Sequence, residues 1–350
     1  MTAAHNSKRP DLEGYYARMA EKHMTPLWTI MSESVPDEPR PKFQPAYWDY
    51  DGDVRPSLME AAGLISAEEA QRRVLILHNP SLPRGATHTL FCAVQLIKKG
   101  EIAPAHRHTQ SALRFVIEGS GAYTAVNGEK TAMNPGDFIV TPAWSWHDHG
   151  KETDGEMIWV DGLDIPFVNH MGATFGEDYD APRFPESLPP GDSQARYGSG
   201  LLPVDAAKTS NHSPLFSYPY DRSREALEKL RRDAEMDSAH GIKLKFANPL
   251  NGDYVLPTIA TFIQLLPKGL RSSPYRSTEG AVFVVAEGKG TAKIGNQSYA
   301  FKKNDVFVAP NWTWYSFEAS DDVVLFSYSD RAILEKVGLW REQRGNLAAL

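Results

Sequence analysis

Between Arg73 and Asp161 the chain alternates short apolar runs with turn signals: VLIL, THTLFCAVQLI, LRFVIEG, AYTAVNG, DFIVTP and MIWVD. Runs of this length, bounded by Gly, Pro and Asn, predict strands. So many in so short a span predict an all-β barrel or sandwich. Val126-Asn127-Gly128-Glu129 predicts a tight hairpin turn. Before this region, Leu12, Tyr15, Tyr16 and Met19 recur at helical spacing and predict an amphipathic helix within 11–33, exiting at Pro26. The stretch from Pro36 to Asp53, rich in Pro, acidic and aromatic residues, reads as an arm lying across a surface. Ser66 with Glu69 predicts a capping box for a short helix.

The pattern then repeats. Residues 176–215, rich in Pro, Gly, Ser and Asp, read as a connection, and DRSREALEKLRRDAEM from Asp221 predicts a charged helix with Leu227 and Leu230 as its apolar face. Beyond it the strand pattern returns. LRFVIEGSGAYTAVNG (113–128) aligns with VFVVAEGKGTAKIGN (282–296), and NPGDFIVTPAWSWH (134–147) with KKNDVFVAPNWTWY (302–315). A duplicated barrel explains both alignments. The expected organisation is an N-terminal helix and arm (1–70), a first barrel (71–175), a linker and helix (176–240), and a second barrel (241–350). A C-terminal helix is expected from Asp330 to Glu342, with Ile333, Leu334, Val337 and Leu339 apolar.

Composition narrows the functional classes. The net charge is −7 with no basic run, which speaks against nucleic acid. No apolar run is long enough to span a bilayer, and the opening MTAAHNSKRPDLEGYY lacks the apolar core of a signal peptide. With Cys92 as the one cysteine, an internal disulfide is excluded and a reducing cytoplasm is expected.

The chemistry concentrates in two segments, GEIAPAHRH (100–108) and GDFIVTPAWSWH (136–147). Residues two apart on a strand share a face, so His106 and His108 can aim two imidazoles at one point, with His147 completing the set from a neighbouring strand. Three histidines suit Fe, Zn, Cu or Ni and do not by themselves name the metal. The HxH-then-distant-His pattern, with its Gly and Pro punctuation, resembles the cupin family. Cupins often add a glutamate after the pair. That slot is Ala112 here, and Glu118, read as a turn residue, is a poor substitute. A divalent ion held by three neutral ligands keeps its full charge and open positions, which favours an anionic chelating substrate and leaves room for dioxygen. Fe(II) fits that use, whereas zinc would only polarise or hydrolyse. The second copy lacks these ligands: Tyr275, Ser277 and Tyr315 stand where His106, His108 and His147 stand, so one active site per chain is expected.

The runs HRHTQSALRFVIEGSG (106–121), PGDFIVTPAWSWHDHG (135–150) and WVDGLDIP (159–166), with PLWT (26–29) after the first helix, resemble the gentisate 1,2-dioxygenase family. The likeness extends over both halves. It implies two tandem cupin barrels and Fe(II)- and O2-dependent cleavage of an aromatic ring beside a carboxylate-bearing carbon. Gentisate would give maleylpyruvate; salicylates and 1-hydroxy-2-naphthoate are the alternative substrates within the family. The resemblance makes His106, His108 and His147 the iron ligands, and Arg114 the carboxylate-binding arginine. His149 becomes a proton acceptor beside the substrate hydroxyl, and Arg72 a second substrate-binding arginine. Gln95 reads as a pocket wall and Asp161 as a hydrogen-bonding partner. It also implies a homo-oligomer, a tetramer.

Plainer readings stand beside these. Arg114 can be an ordinary paired arginine. Arg72 or the adjoining Arg73 can be a solvated charge at a helix end, and His149 can simply sit at a barrel mouth. Asp161 and Gln95 can serve only to satisfy the backbone. Trp144 and Trp146 read as core, and Cys92 as inert filling. A metal-dependent isomerase or hydrolase, and a non-catalytic binding bicupin, are the competing functions from other classes.

Overall fold

The computed structural model describes residues 11–206, 210–233 and 235–346. Outside these fall most of the signal-peptide reading (1–10), part of the expected connection (207–209), Ala234 of the expected charged helix and the C-terminal residues 347–350. Residues 11–40 form a unit of their own. In it, helices Leu12–Glu21 and Leu27–Ser34 bury no side chain, the rings of Tyr15 and Trp28 stack at 6.4 Å, and Trp28 Nε1 donates to Tyr16 Oη.

The second unit, from Pro41 onward, holds four antiparallel sheets in two pairs. In the first pair a six-stranded sheet runs Ser217–Tyr218, Phe138–Thr141, Ala112–Gly119, Glu156–Leu163, Phe91–Lys98, Arg73–Ile76. The five-stranded sheet facing it runs Gly176–Asp178, Ile102–His108, His147–Lys151, Ala122–Val126, Glu129–Met133. The second half repeats this plan. Its six-stranded sheet runs Ala46–Trp48, Val306–Ala309, Ala281–Glu287, Val323–Ser329, Ala260–Leu266, Ile242–Lys245, and its five-stranded sheet Gln297–Lys302, Lys289–Ile294, Tyr315–Ala319, Tyr275–Ser277, Glu342–Arg344. These are the two tandem cupin-like barrels that the duplicated pattern predicts. The Asn127-Gly128 hairpin turns with φ of 48° and 86° at its two central residues, the left-handed pair that a type I′ turn requires.

The connecting segments are less passive than their composition suggests. Ala46–Trp48, which precedes the first barrel, pairs with the second. Ser217–Tyr218, which precedes the second, pairs with the first. Gly176–Asp178 leaves the connection to become an edge strand beside the histidine-bearing strand. Each barrel thus completes its sheet with chain from outside its own repeat.

One apolar core joins the halves. Phe115 and Phe138 from the first pack on Phe326 from the second, with ring centroids 4.5 and 5.3 Å apart. Such aromatic pairs add about 0.5–1.5 kcal/mol beyond the area they bury. The seam is also cross-bonded with near-symmetry. Asp164 accepts from Ser111 N in its own half and from Thr258 Oγ1 in the other, while Asp330 accepts from Gly280 N in its own half and from Thr89 Oγ1 in the other.

Two expected helices are shorter than read. The charged helix spans Tyr220–Asp233, with Leu227 fully buried and Leu230 partly exposed. The last helix covers only Arg331–Lys336, because Gly338 turns left-handed (φ 73°) and Glu342–Arg344 continues as a strand. Val337 and Leu339 are exposed in consequence. The Ser66 cap forms as read, with Glu69 N donating to Ser66 Oγ. No helix among the described residues is long and apolar enough to cross a membrane.

Candidate metal and substrate site

Strand alternation alone does not converge the three histidines. Along Ile102–His108 and His147–Lys151, Ala103 pairs with His149 and His106 with His147, so three steps on one strand match two on the other. The extra residue is a β-bulge at Pro104–Ala105. Proline fits there because it has no N–H to give to the ladder. Without the bulge, Ala103 and Ala105 would face the cavity beside His149 and His147, and His106 would point away. The shift moves His106 and His108 onto the inner face. The motif spacing predicted the outcome but not this device, whose one signal in the sequence is Pro104.

The ring centroids of His106 and His108 lie 4.1 and 4.9 Å from that of His147. One nitrogen of each falls within 4.8 Å of the others. Every Nδ1 in the trio lies within bonding distance of a backbone carbonyl: His106 to Pro104 (3.0 Å), His108 to Gln110 (2.9 Å), His147 to Ser145 (2.9 Å). A carbonyl can only accept, so in His108 and His147 Nδ1 carries the proton and Nε2 keeps its lone pair for a metal, as the Pro104 carbonyl also allows in His106. Arg72 Nη2 competes for one of these nitrogens, lying 2.8 Å from His106 Nδ1 and 3.5 Å from Pro104 O. The metal-binding tautomer gives that bond to Pro104. Burial, reinforced by the nearby arginines and neighbouring histidines, pushes the His106 pKa down to about 3 and that of His108 to about 4, and holds His147 well below the usual range. All three are neutral imidazoles at neutral pH, the form that ligates. Among the described residues no carboxylate joins the cluster. Ala112 is a buried strand residue, and Glu118, at a strand end rather than in a turn, accepts from Arg55 Nε at 2.7 Å.

A cavity of about 260 Å³ opens beside the trio, lined also by Arg72, Gln95, Arg114, His149 and Asp161. All eight candidate residues therefore meet in one place. Arg114 does not share a strand with His108. The two lie on different strands of facing sheets, and the cavity between the sheets brings them together. Arg114 Nη1 donates to Thr141 Oγ1 at 2.6 Å, and Asp161, its cross-strand partner, holds Oδ1 3.4 Å from Nε. The buried Nε atoms of Arg114 and Arg72 have no hydrogen-bond partner among the described residues. Buried unpaired donors of this kind are costly unless something else satisfies them. Asp161 accepts from Trp159 Nε1 at 3.0 Å; burial raises its pKa to about 6 against the pull of the Arg114 guanidinium. Arg73, the competing arginine, turns to the other side, where it pairs with Glu101 and donates to Ile65 O.

His149 Nδ1 lies 2.9 Å from Thr124 Oγ1, and that hydroxyl donates to Met133 Sδ. With the Thr124 proton on sulfur, Thr124 Oγ1 accepts from Nδ1–H and the His149 Nε2 lone pair is free; with it on Nδ1, Nε2 carries the proton. Burial holds this ring neutral as well. Thr124, Thr141 and Trp159 carry no motif, and only the fold shows that they orient His149, Arg114 and Asp161.

Trp144 and Trp146 are not core. They flank Arg107, whose guanidinium carbon sits 4.5 and 4.6 Å from their rings and which also pairs with Glu177 on the edge strand. Arg107 alternates with the two ligand histidines and faces outward, so this clamp grips the outer side of both ligand-bearing strands. Trp144 takes a left-handed φ of 61°, fixed by its N–H donating to His108 O at 2.8 Å. Cys92 is buried, and burial pushes its thiol pKa up to about 12, as inert filling requires.

Residues 93–165, which hold seven of the eight candidate residues (all but Arg72), match the cupin domain family. The chain is 48% identical to gentisate 1,2-dioxygenase 1 of Aquipseudomonas alcaligenes, over 94% of this chain and 95% of that one. It is 36% identical to 5-aminosalicylate 1,2-dioxygenase of a Comamonas species, over 97% and 92%. The fold superposes with a TM-score of 0.90 on salicylate 1,2-dioxygenase from Pseudoaminobacter salicylatoxidans, crystallised as adducts with gentisate, at 30% identity over 98% and 97% of the two chains. Likeness on this scale reaches both barrels and every strand that shapes the cavity, and on it the chain belongs to the gentisate 1,2-dioxygenase family of ring-cleaving dioxygenases.

Proposed function

We propose that this chain cleaves the ring of gentisate with dioxygen, giving maleylpyruvate, and that its metal is Fe(II) held by His106, His108 and His147. One observation carries the reading: three neutral imidazoles with no carboxylate among them open onto a cavity whose buried guanidiniums have donors to spare. Iron bound there would supply open positions for the substrate oxygens and for O2, together with the redox chemistry that zinc lacks.

The remaining steps belong to the protein. Arg114, anchored by Thr141 and set against Asp161, takes the ring carboxylate. Arg72 adds a second positive charge at the mouth. With two cations facing the one aspartate that lines the cavity, an acidic aromatic is favoured over a neutral one. His149 Nε2 accepts the proton of a ring hydroxyl, while Thr124, with its own proton on sulfur, holds the imidazole in the tautomer able to do so. Asp161 orients Arg114, and Gln95 walls the cavity.

Family membership sets the isomerase, hydrolase and pure-binding readings aside. It leaves salicylates and 1-hydroxy-2-naphthoate as alternative substrates of the same reaction. Anaerobic iron loading followed by an oxygen-electrode panel decides among them. Gentisate is expected to give the highest kcat/KM and a new absorbing product, both lost on chelation. A higher value for another hydroxy acid would reassign the substrate. No oxygen uptake with any of them would overturn the reading. By the same resemblance we expect a homo-oligomer, a tetramer, located in the cytoplasm; light scattering of the full chain tests the assembly.

A further inference from the structure

The second barrel has lost the metal ligands but not its mouth. Register relates the two openings: Val74 pairs with Gln95 in the first barrel as Lys243 pairs with Gln264 in the second. Deeper in, Tyr275 and Tyr315, cross-strand partners like His106 and His147, pack with Phe283 and Phe317 into an aromatic plug. Above the plug a cavity of about 460 Å³ remains, larger than the one beside the histidines.

Its lining is uneven. Two of its three carboxylates are committed: Asp237 pairs with Arg344 at 2.6 Å, and Glu342 accepts from Tyr275 Oη at 2.9 Å, while Glu235 stands exposed at the rim. Lys243 is not committed. Among the described residues no carboxylate lies within ion-pairing distance of its ammonium, whose one close partner is the Phe262 ring at 4.5 Å. Beside it His240 is buried, and its Nδ1 has no hydrogen-bond partner among the described residues. Glu279, Asp237 and Glu342 act on Lys243 only from beyond ion-pairing distance. A partly enclosed cation with no direct ion pair, next to a buried polar atom without a partner, leaves a place for a ligand that satisfies both. Beside Lys243 the apolar wall comes from Phe262 and Trp340, while Ile242 and Leu244 alternate with it and turn to the main core on the other side of the strand.

We propose that the mouth of the second barrel is a metal-free binding site for a small aromatic monocarboxylate, with Lys243 and His240 taking the carboxylate and the apolar wall taking the ring. The site is distinct from the metal cavity, and binding there needs neither iron nor turnover.

Soaking crystals of the intact protein in 4-bromobenzoate locates such a ligand by the anomalous signal of bromine. Density in the second barrel with the carboxylate at Lys243 Nζ is expected, and its absence overturns the proposal. Calorimetry with benzoate tests the same site in solution. The isotherm is expected to lose one site, or weaken there by at least about tenfold, in Lys243→Met and in Lys243→Gln, while gentisate turnover stays unchanged. Unchanged benzoate binding in a folded variant overturns the assignment. Inorganic phosphate is the control anion: if it binds this site and benzoate does not displace it, the site takes anions of another class and the proposal fails.

Discussion

The two barrels share strand order, hairpins and even their outer clamps, yet among the described residues only the first presents a metal-binding cluster. Arg107 lies between Trp144 and Trp146, and Arg276 lies between Trp312 and Trp314 at 4.6 and 4.7 Å. Trp144 N donates to His108 O as Trp312 N donates to Ser277 O, and both tryptophans are left-handed. Gly136, with φ of 88°, is matched by Asn304 at 73°, because asparagine is one of the few other residues that tolerates this conformation. The difference lies inside. Where the first barrel presents imidazoles to an open cavity, the second presents Tyr275 and Tyr315 to phenylalanines. The scaffold therefore does not dictate the metal; a handful of inward residues do, and the same shell accepts a filled core or a reaction chamber.

The sharpest break of this comparison is His108→Ala. It is expected to abolish stoichiometric metal and oxygen uptake while leaving the fold, whereas Tyr315→Phe in the second barrel leaves both intact; metal analysis beside an oxygen electrode reads the pair. Next comes Arg114→Met. Truncating one partner of a buried charge pair costs about 2–5 kcal/mol, so kcat/KM for gentisate should fall on the order of a hundredfold or more with metal content unchanged. Equal kinetics would remove Arg114 from carboxylate binding.

The clamps give a finer test. Arg107→Ala and Arg276→Ala remove equivalent cation–π contacts, each worth about 0.5–2 kcal/mol. Both should lower the Tm. Only Arg107→Ala should also weaken metal affinity, by about tenfold, as losses beside ligands typically do. If both variants keep full affinity, the clamp serves the fold alone. The smallest effect concerns the seam. Burial raises the pKa of Asp164 to about 6 and that of Asp330 to about 7, above the ordinary aspartate value. Their contribution is complete below the unfolded-state pKa and is lost as pH rises through about 6 to 7. The Tm should thus decline by a few degrees from pH 5 to 8, and Asp330→Asn should flatten that slope. A Tm independent of pH in the parent chain would contradict it.

Much of this was legible in the chain. Alternation and turn residues gave strands, internal alignment gave two barrels, and the HxH and distant-His spacing gave the metal trio. These are local signals, carried by a few residues at fixed separations. The register shift at Pro104 was not legible, because a bulge depends on how two strands pair. Arg114 enters the site from a facing sheet, a long-range meeting that no local spacing carries. Trp144 and Trp146 looked like core because large apolar residues usually are, and only the outward-facing Arg107 explains their place. The connecting segment 176–178 read as a loop by composition, yet it closes a sheet edge where unpaired backbone would otherwise remain.

The sequence by itself determined which residues could ligate, which half kept them, and where strands and turns fall, since backbone preference and side-chain chemistry are local properties. The tertiary structure decided which faces meet: the bulge that turns His106 inward, the opposed sheets that bring Arg114 to the metal, and the exchanged strands that join the halves. Those outcomes depend on long-range pairing, in which burial and hydrogen-bond satisfaction across the whole domain select one register from several that the local pattern permits.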